Sequence, residues 1–439
     1  MLSIHFNNGT YTSFEYNGAN QLVSQTNYNV GGVVGERFTN SYDKNGNIVS
    51  IQTTKGTINY QYDPLNKLTQ ETLQDGTRIS YEYDSVGNRT KKTVTKGTNS
   101  TITNYSYDQA YQLISVDNQT YVYDPNGNLV DGGKNTFVYN PENQLTEVKE
   151  KATGKTTSFT YDHQGRRKTT TTSSGTVTFH YDQKDNVVFE TDQNGNILAE
   201  YTWDQENRPV TMVKNGLTYY YHLNGHGDVV ALTDKDGNNV ASYTYDAWGN
   251  ILSQSGTMHS TNPYRFAGYR YDENTKLYYL MARYYDPETG QFISRDPSSG
   301  KLENPVTQNE YTYANNNPIM LIDPNGKVAF YVTRKQFSTP LKAMLVFLWP
   351  ASFIKPKALV SKSLAKRSRK VILEQIIAAE KKAKLGQLEG ITRKVFNAVL
   401  IIAGIDLVDE LAKWMDRSDG KYDNRIKINV YIIGAYKWF

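Results

Sequence analysis

The sequence of 439 residues contains no cysteine, which excludes disulfide staples, thiolate nucleophiles and cysteine-ligated zinc. Histidine is nearly as scarce: all six lie before Lys327. The last 113 residues therefore have no imidazole for a general base or a metal, which excludes His-dependent nucleases, thiol peptidases and His-ligated zinc within that part alone. Long apolar runs are also missing. "VFNAVLIIAGIDLV", Val395 to Val408, carries Asn397 and Asp406 and falls short of the roughly 18 residues of a spanning helix. The opening "MLSIHFNNGT" has neither the basic nor the apolar region of a signal peptide.

What is abundant is tyrosine, 35 in all, and 31 of these precede Lys327. The formal charge of +4 hides a similar division. From Lys327 onward there are 22 Lys and Arg against 9 Asp and Glu, leaving 26 against 35 before it. The two parts thus carry +13 and −9, and a basic part of that strength is suited to nucleic acid or an anionic membrane.

The tyrosine-rich part repeats itself. "YDKNGN" at Tyr42, "YDSVGN" at Tyr83, "YDPNGN" at Tyr123 and "YDAWGN" at Tyr245 share one phrase, with looser copies at Tyr62, Tyr107, Tyr139, Tyr161 and Tyr181. A period of roughly 20 residues signals a stacked or spiralling architecture. "TINYQYDPLNKLTQETL" alternates apolar and polar residues on either side of a turn cluster, so each unit reads as a β-hairpin. Asp, Asn and Gly supply the turn chemistry, and tyrosine suits a sheet with one wet side. The chain opens inside a repeat, as expected of the C-terminal part of a longer protein or of an unattached tip cassette.

These phrases, together with "NPYRFAGYRYDENTKLYYLMARYYDPETGQFISRDP" from Asn262 and "NEYTYANNNPIMLIDPNG" from Asn309, resemble the RHS/YD-repeat polymorphic toxins, in particular the wall-associated toxins of Gram-positive bacteria. The resemblance implies a mainly β shell of YD-repeat hairpins over residues 1–261 and an RHS repeat-associated core over 262–326 that closes one end. A variable C-terminal effector domain would follow over 327–439. It further implies a secreted or cell-wall-associated protein in interbacterial competition, with a cognate immunity protein in the producer. In the family, two Asp-Pro-x-Gly motifs bracket an aspartyl-type self-cleaving junction that is cut just after the second.

The second motif is intact here, Asp323-Pro324-Asn325-Gly326, whereas "DPSSG" at Asp296 and "DPETG" at Asp286 are one residue longer than the pattern. Lys327 stands where the resemblance leads one to expect an aliphatic residue. Asp296 and Asp323 are the candidate catalytic pair, since two adjacent carboxyls can share a proton and divide the roles of base and acid. Gly326 and Lys327 form the junction. The same phrase is also an ordinary turn signal. Arg265, Arg270, Arg283 and Arg295 read as partners of shell carboxylates, and His222 and His226, separated by a Gly-rich turn, as structural residues; no metal site is expected among them.

After the junction the pattern predicts a small, mostly α domain with a terminal strand or hairpin. "STPLKAMLVFLW", roughly 356–385 and roughly 391–417 read as helices, and "DGKYDNRIKINVYIIGAYKWF" as a turn and strand. Asp406, Asp409 and Glu410 share one helix face, as a magnesium site for phosphodiester cleavage or as a solvated face with Asp409 and Lys413 paired. Lys362, Lys366, Arg367, Arg369 and Lys370 are candidates for polyanion contact. Two effector readings follow: a nuclease acting on RNA or transfer RNA, or a membrane-disrupting, pore-forming domain whose aliphatic faces enter lipid. A third reading is a surface adhesin that binds cell-wall or surface glycans through the tyrosine-rich repeats. No cofactor is implied, apart from magnesium in the nuclease reading.

Overall fold

The computed structural model describes residues 2–298, 308–331 and 428–431. The strands from Leu2–His5 to Ile251–Ser255 follow one another in chain order, each antiparallel to the next, in a 26-stranded sheet. Its remaining strand, Ile428–Tyr431, lies parallel to Leu2–His5 and falls within the predicted terminal strand. No α-helix occurs among the described residues, and the three predicted helices lie outside them.

The repeated phrase explains the sheet. Where the phrase carries aspartate, the side chain accepts amides two and four residues on: Asp43 Oδ1 takes Asn45 N at 2.9 Å and Asn47 N at 2.8 Å. This is the local side-chain bonding for which Asp is favoured in turns. The tyrosine reaches backward. Tyr42 Oη donates to the Leu22 carbonyl, Tyr62 to Ile48, Tyr83 to Leu68, Tyr161 to Leu145 and Tyr181 to Arg167, at 2.6–2.7 Å. Each of these five phrases therefore makes its own turn and fastens itself to the preceding hairpin, whereas Tyr139 bonds to Ile293 O in the segment beyond the repeats. Trp203 fills the tyrosine's place, its indole N–H donating to Val187 O at 2.8 Å, and Asp204 makes the turn. A search keyed on tyrosine passes over this copy and over the turns at Asp192 and Asp234.

The buried face of the sheet packs on the segment that follows it. Residues between Tyr264 and Leu321 contribute to all three apolar clusters, meeting Tyr60 and Tyr81 in one, Tyr201 and Tyr221 in another and Phe137 and Phe159 in the third. That segment holds a four-stranded sheet, Arg270–Asp272, Leu277–Leu280, Arg283–Asp286 and Gln291–Phe292, and a hairpin of Leu321–Ile322 with Phe330–Tyr331. The main sheet curls around this plug until its ends meet. Asn8 Nδ2 donates to Thr233 Oγ1 at 2.9 Å and to Asp234 O at 2.7 Å, while the amides of Gln25 and Asn27 both donate to Leu223 O. Phe6 lies edge-on to His222, with ring centroids 5.3 Å apart.

Candidate functional site

The hairpin of Leu321–Ile322 with Phe330–Tyr331 turns through Asp323-Pro324-Asn325-Gly326. Asp323 Oδ1 accepts the amides of Lys327 at 3.0 Å and Val328 at 3.1 Å, so the motif is a turn by the same bonding that builds the repeats. Gly326 has φ +68°, and a Cβ there would lie 2.6 Å from the Leu280 carbonyl oxygen, so only glycine fits. Asp323 N–H donates to Tyr269 Oη at 2.9 Å, which fixes the start of the turn to the plug.

Asp296 reaches the same place from another direction. Its amide donates to Glu310 O at 3.1 Å, and its Oδ1 accepts Ser298 N at 2.7 Å. Between the two carboxylates stands Arg283, whose Nη2 is 2.8 Å from Asp296 Oδ2 and 3.4 Å from Asp323 Oδ2. Its Nη1 donates to Glu310 O at 2.7 Å, its Nε donates to the carbonyl oxygen of Gly326, and its guanidinium lies 3.5 Å from the Phe292 ring centroid. One buried guanidinium thus touches both candidate acids and the carbonyl of the Gly326–Lys327 peptide bond.

Burial raises the pKa of Asp296 and of Asp323, against the opposing charge of Arg283, and the Asp323 carboxylate raises that of Asp296 further. Burial lowers the pKa of Arg283. Carboxyls held above their ordinary range beside a polarised carbonyl are suited to proton transfer in hydrolysis of that bond.

The extra residue in "DPSSG" does not keep Asp296 from the site, because its position is set by Glu310 and Arg283 and not by the loop after it. Asp286 in "DPETG" bonds within its own turn, to Glu288 N and Thr289 Oγ1, and burial pushes its pKa up to about 6. Arg265 pairs with Glu273, Arg270 with Glu190 at 2.7 Å and Arg295 with Glu310. Sequence reasoning grouped Arg283 with these and missed its contact with the junction carbonyl; nothing local in "ARYYDPETG" distinguishes it. His222 Nε2 meets Thr233 Oγ1 at 2.9 Å, and His226 Nδ1 meets Asp228 Oδ1 at 2.7 Å, so each histidine serves a different bond. No group of three or more His, Asp or Glu side chains spaced for a metal occurs among the described residues. Asp406, Asp409, Glu410, Lys362, Lys366, Arg367, Arg369 and Lys370 lie outside the described residues.

The Teneurin YD-shell family profile matches residues 3–319. The chain belongs to the Teneurin YD-shell family. This YD-shell is 40% identical over 280 residues to the tRNA(Glu)-specific nuclease WapA of Bacillus subtilis subsp. natto, a match covering 63% of this chain and 12% of that protein. It is 43% identical over 67 residues to toxin protein Tse5 of Pseudomonas aeruginosa, covering 15% and 5%. The crystal structure of TcdB2-TccC3-Cdc42 superposes with a TM-score of 0.63 at 19% identity, covering 74% of this chain and 18% of that one. The RHS/YD-repeat toxin resemblance and the mainly β fold class both stand on these matches. The YD-shell spans about an eighth of the length of the WapA proteins it matches. Among its described residues no helix is long and apolar enough to cross a membrane.

Proposed function

We propose that residues 1–326 are the carrier shell of a secreted or wall-associated bacterial toxin and that 327–439 are its effector, released by hydrolysis of the Gly326–Lys327 bond. The observation that carries this reading is the convergence of Asp296, Arg283 and Asp323 on that bond, at the point where the charge balance changes sign. Asp296 takes a proton from water as its oxygen attacks the Gly326 carbonyl carbon, and Arg283 Nε holds the developing oxyanion. Asp323, whose Oδ1 accepts the Lys327 N–H before reaction, enters the step as the protonated partner of the pair and gives its proton to that nitrogen as the C–N bond breaks, while Asp296 keeps the proton taken from water. The products are a Gly326 carboxylate and a Lys327 amine.

The effector is a nuclease acting on transfer RNA. Its support is the WapA relatives and the +13 charge of the segment, and a producing cell needs an immunity protein against it. The membrane-disrupting alternative draws on the aliphatic run Val395 to Val408. The adhesin reading leaves the change of composition at Gly326 without a purpose.

The test is the purified full chain, followed by intact mass. Wild type is expected to yield fragments ending at Gly326 and beginning at Lys327, while Asp296→Asn and Asp323→Asn remain whole. Cleavage that survives both substitutions rules out the acid pair. Inducing the full chain in bacteria then separates the effectors: transfer RNA fragmentation with intact membrane potential supports the nuclease, and early depolarisation with intact RNA supports the membrane reading.

A further inference from the structure

Four arginines are buried among the described residues: Arg89, Arg167, Arg265 and Arg283. Three follow one rule, in which an aromatic face covers the guanidinium and a carboxylate meets its in-plane N–H groups. Arg167 lies over Tyr279, Phe179 and Phe159 and grips Asp272 with both terminal nitrogens. Arg265 lies over Tyr271 and pairs with Glu273; Arg283 lies over Phe292 and pairs with Asp296 and Asp323.

Arg89 has the aromatic face and lacks the carboxylate. Only 3% exposed, its guanidinium carbon stands 4.0 Å from the Trp248 ring centroid, 5.1 Å from Tyr81 and 5.8 Å from Tyr105. Gly290 makes room for it, since a Cβ there would fall 1.8 Å from Nη2. The Tyr105 hydroxyl bonds the guanidinium, but Nε and Nη1 have no hydrogen-bond partner among the described residues, and neither has the Nε1 of fully buried Trp248. Aromatic faces compensate the charge from above but accept nothing from donors lying in the guanidinium plane.

The carboxylates of this neighbourhood are already engaged. Glu71 accepts Tyr81 Oη at 2.6 Å and Ala247 N at 2.9 Å. Asp246 accepts Trp248 N, Asn250 N and Asn250 Nδ2, and Asp286 bonds within its turn. A buried cation with unmet donors beside another unmet donor is costly unless something negative joins it.

We infer that Arg89 Nε and Nη1, with the indole N–H of Trp248, form a site for a small monovalent inorganic anion of halide size. The anion stands where a carboxylate stands at the other three arginines. It ties the repeat strand Arg89–Lys96 to the turn after Asn239–Tyr245 and to the plug beside Gly290. The site is independent of the junction chemistry, so neither reading depends on the other.

The test uses the full chain and bromide. Crystals grown in sodium bromide are expected to show an anomalous peak within hydrogen-bond distance of Arg89 Nε and Nη1. In solution at constant ionic strength, replacing gluconate by bromide should raise the thermal midpoint by about 3 °C. That rise should vanish in Arg89→Met and shrink in Trp248→Phe, which keeps the guanidinium. Should Arg89→Met not fold, the wild-type crystal and Trp248→Phe still decide. Water in place of a peak overturns the site. So does a peak with an unchanged midpoint, which marks an adventitious ion only, or a bromide effect as large in both variants as in the wild type.

Discussion

Tyr111 occupies a turn position that its neighbours fill with Gly46, Asn66, Gly87 or Asn143, and like them it has a positive φ, +63°. A left-handed backbone is costly for a residue with a bulky side chain and cheap for Asn. Tyr111→Asn is expected to stabilise the protein by about 1 kcal/mol, measured by urea unfolding. His222 carries a different liability. Its burial lowers the pKa to about 4 from an unfolded value near 6.5. The unfolded chain therefore binds a proton that the native protein refuses, so this contribution is fully present above pH 6.5 and is lost as pH falls through 6.5 toward 4. It amounts to about 3 kcal/mol at most. His222→Gln should flatten the dependence of unfolding free energy on pH in that window. His226, four residues on, has the opposite sign. Asp228 raises its pKa against the burial that opposes it, so its contribution is present below the unfolded pKa and fades as pH rises through the folded one.

At the scale of the element, the phrase Tyr-Asp-x-x-Gly-Asn was legible because the turn bonds of its aspartate close within five residues. Asp43, Asp84 and Asp162 make the same turn whatever lies far away in sequence. The hairpin at Asp323 extends this grammar, with Asp323 capping Lys327 four residues on as Asp43 caps Asn47, and taking the amide of Val328 as well. Reading the motif as a turn and reading it as a cleavage site are therefore compatible. Gly326→Ala tests how far the turn serves the site. A Cβ pressed against the Leu280 carbonyl in a left-handed conformation should cost about 1 kcal/mol or more and draw the Gly326 carbonyl away from Arg283. Lower thermal stability together with slower appearance of the Lys327 fragment is the expected pair of results. Unchanged cleavage would detach the glycine from the chemistry.

For the molecule as a whole, the telling contacts join residues about 200 positions apart. The amides of Gln25 and Asn27 share the Leu223 carbonyl, and Asn8 bonds Thr233 and Asp234, so the first hairpins seat on the hairpins one coil later. The seam is polar, and its strength lies in a few directed bonds. Gln25→Leu with Asn27→Leu should open it without unfolding the plug. Faster amide hydrogen exchange confined to residues 2–32 and 220–238 would be the signature, whereas exchange rising throughout the sheet would mean that the seam holds the entire fold.

The sequence by itself determined the hairpins, their period and the place where the chain changes character, because turn bonding, strand alternation and charge are local properties. Only the tertiary structure decided that Arg283 stands between Asp296 and Asp323 with the Gly326 carbonyl on its Nε, that Arg89 alone among the buried arginines of the described residues lacks a carboxylate, and that the sheet meets itself near Leu223. The physical reason is burial. A guanidinium taken out of water must find its acceptors wherever packing puts them, and that partner can lie 13, 40 or 105 residues away, a choice that no local pattern encodes.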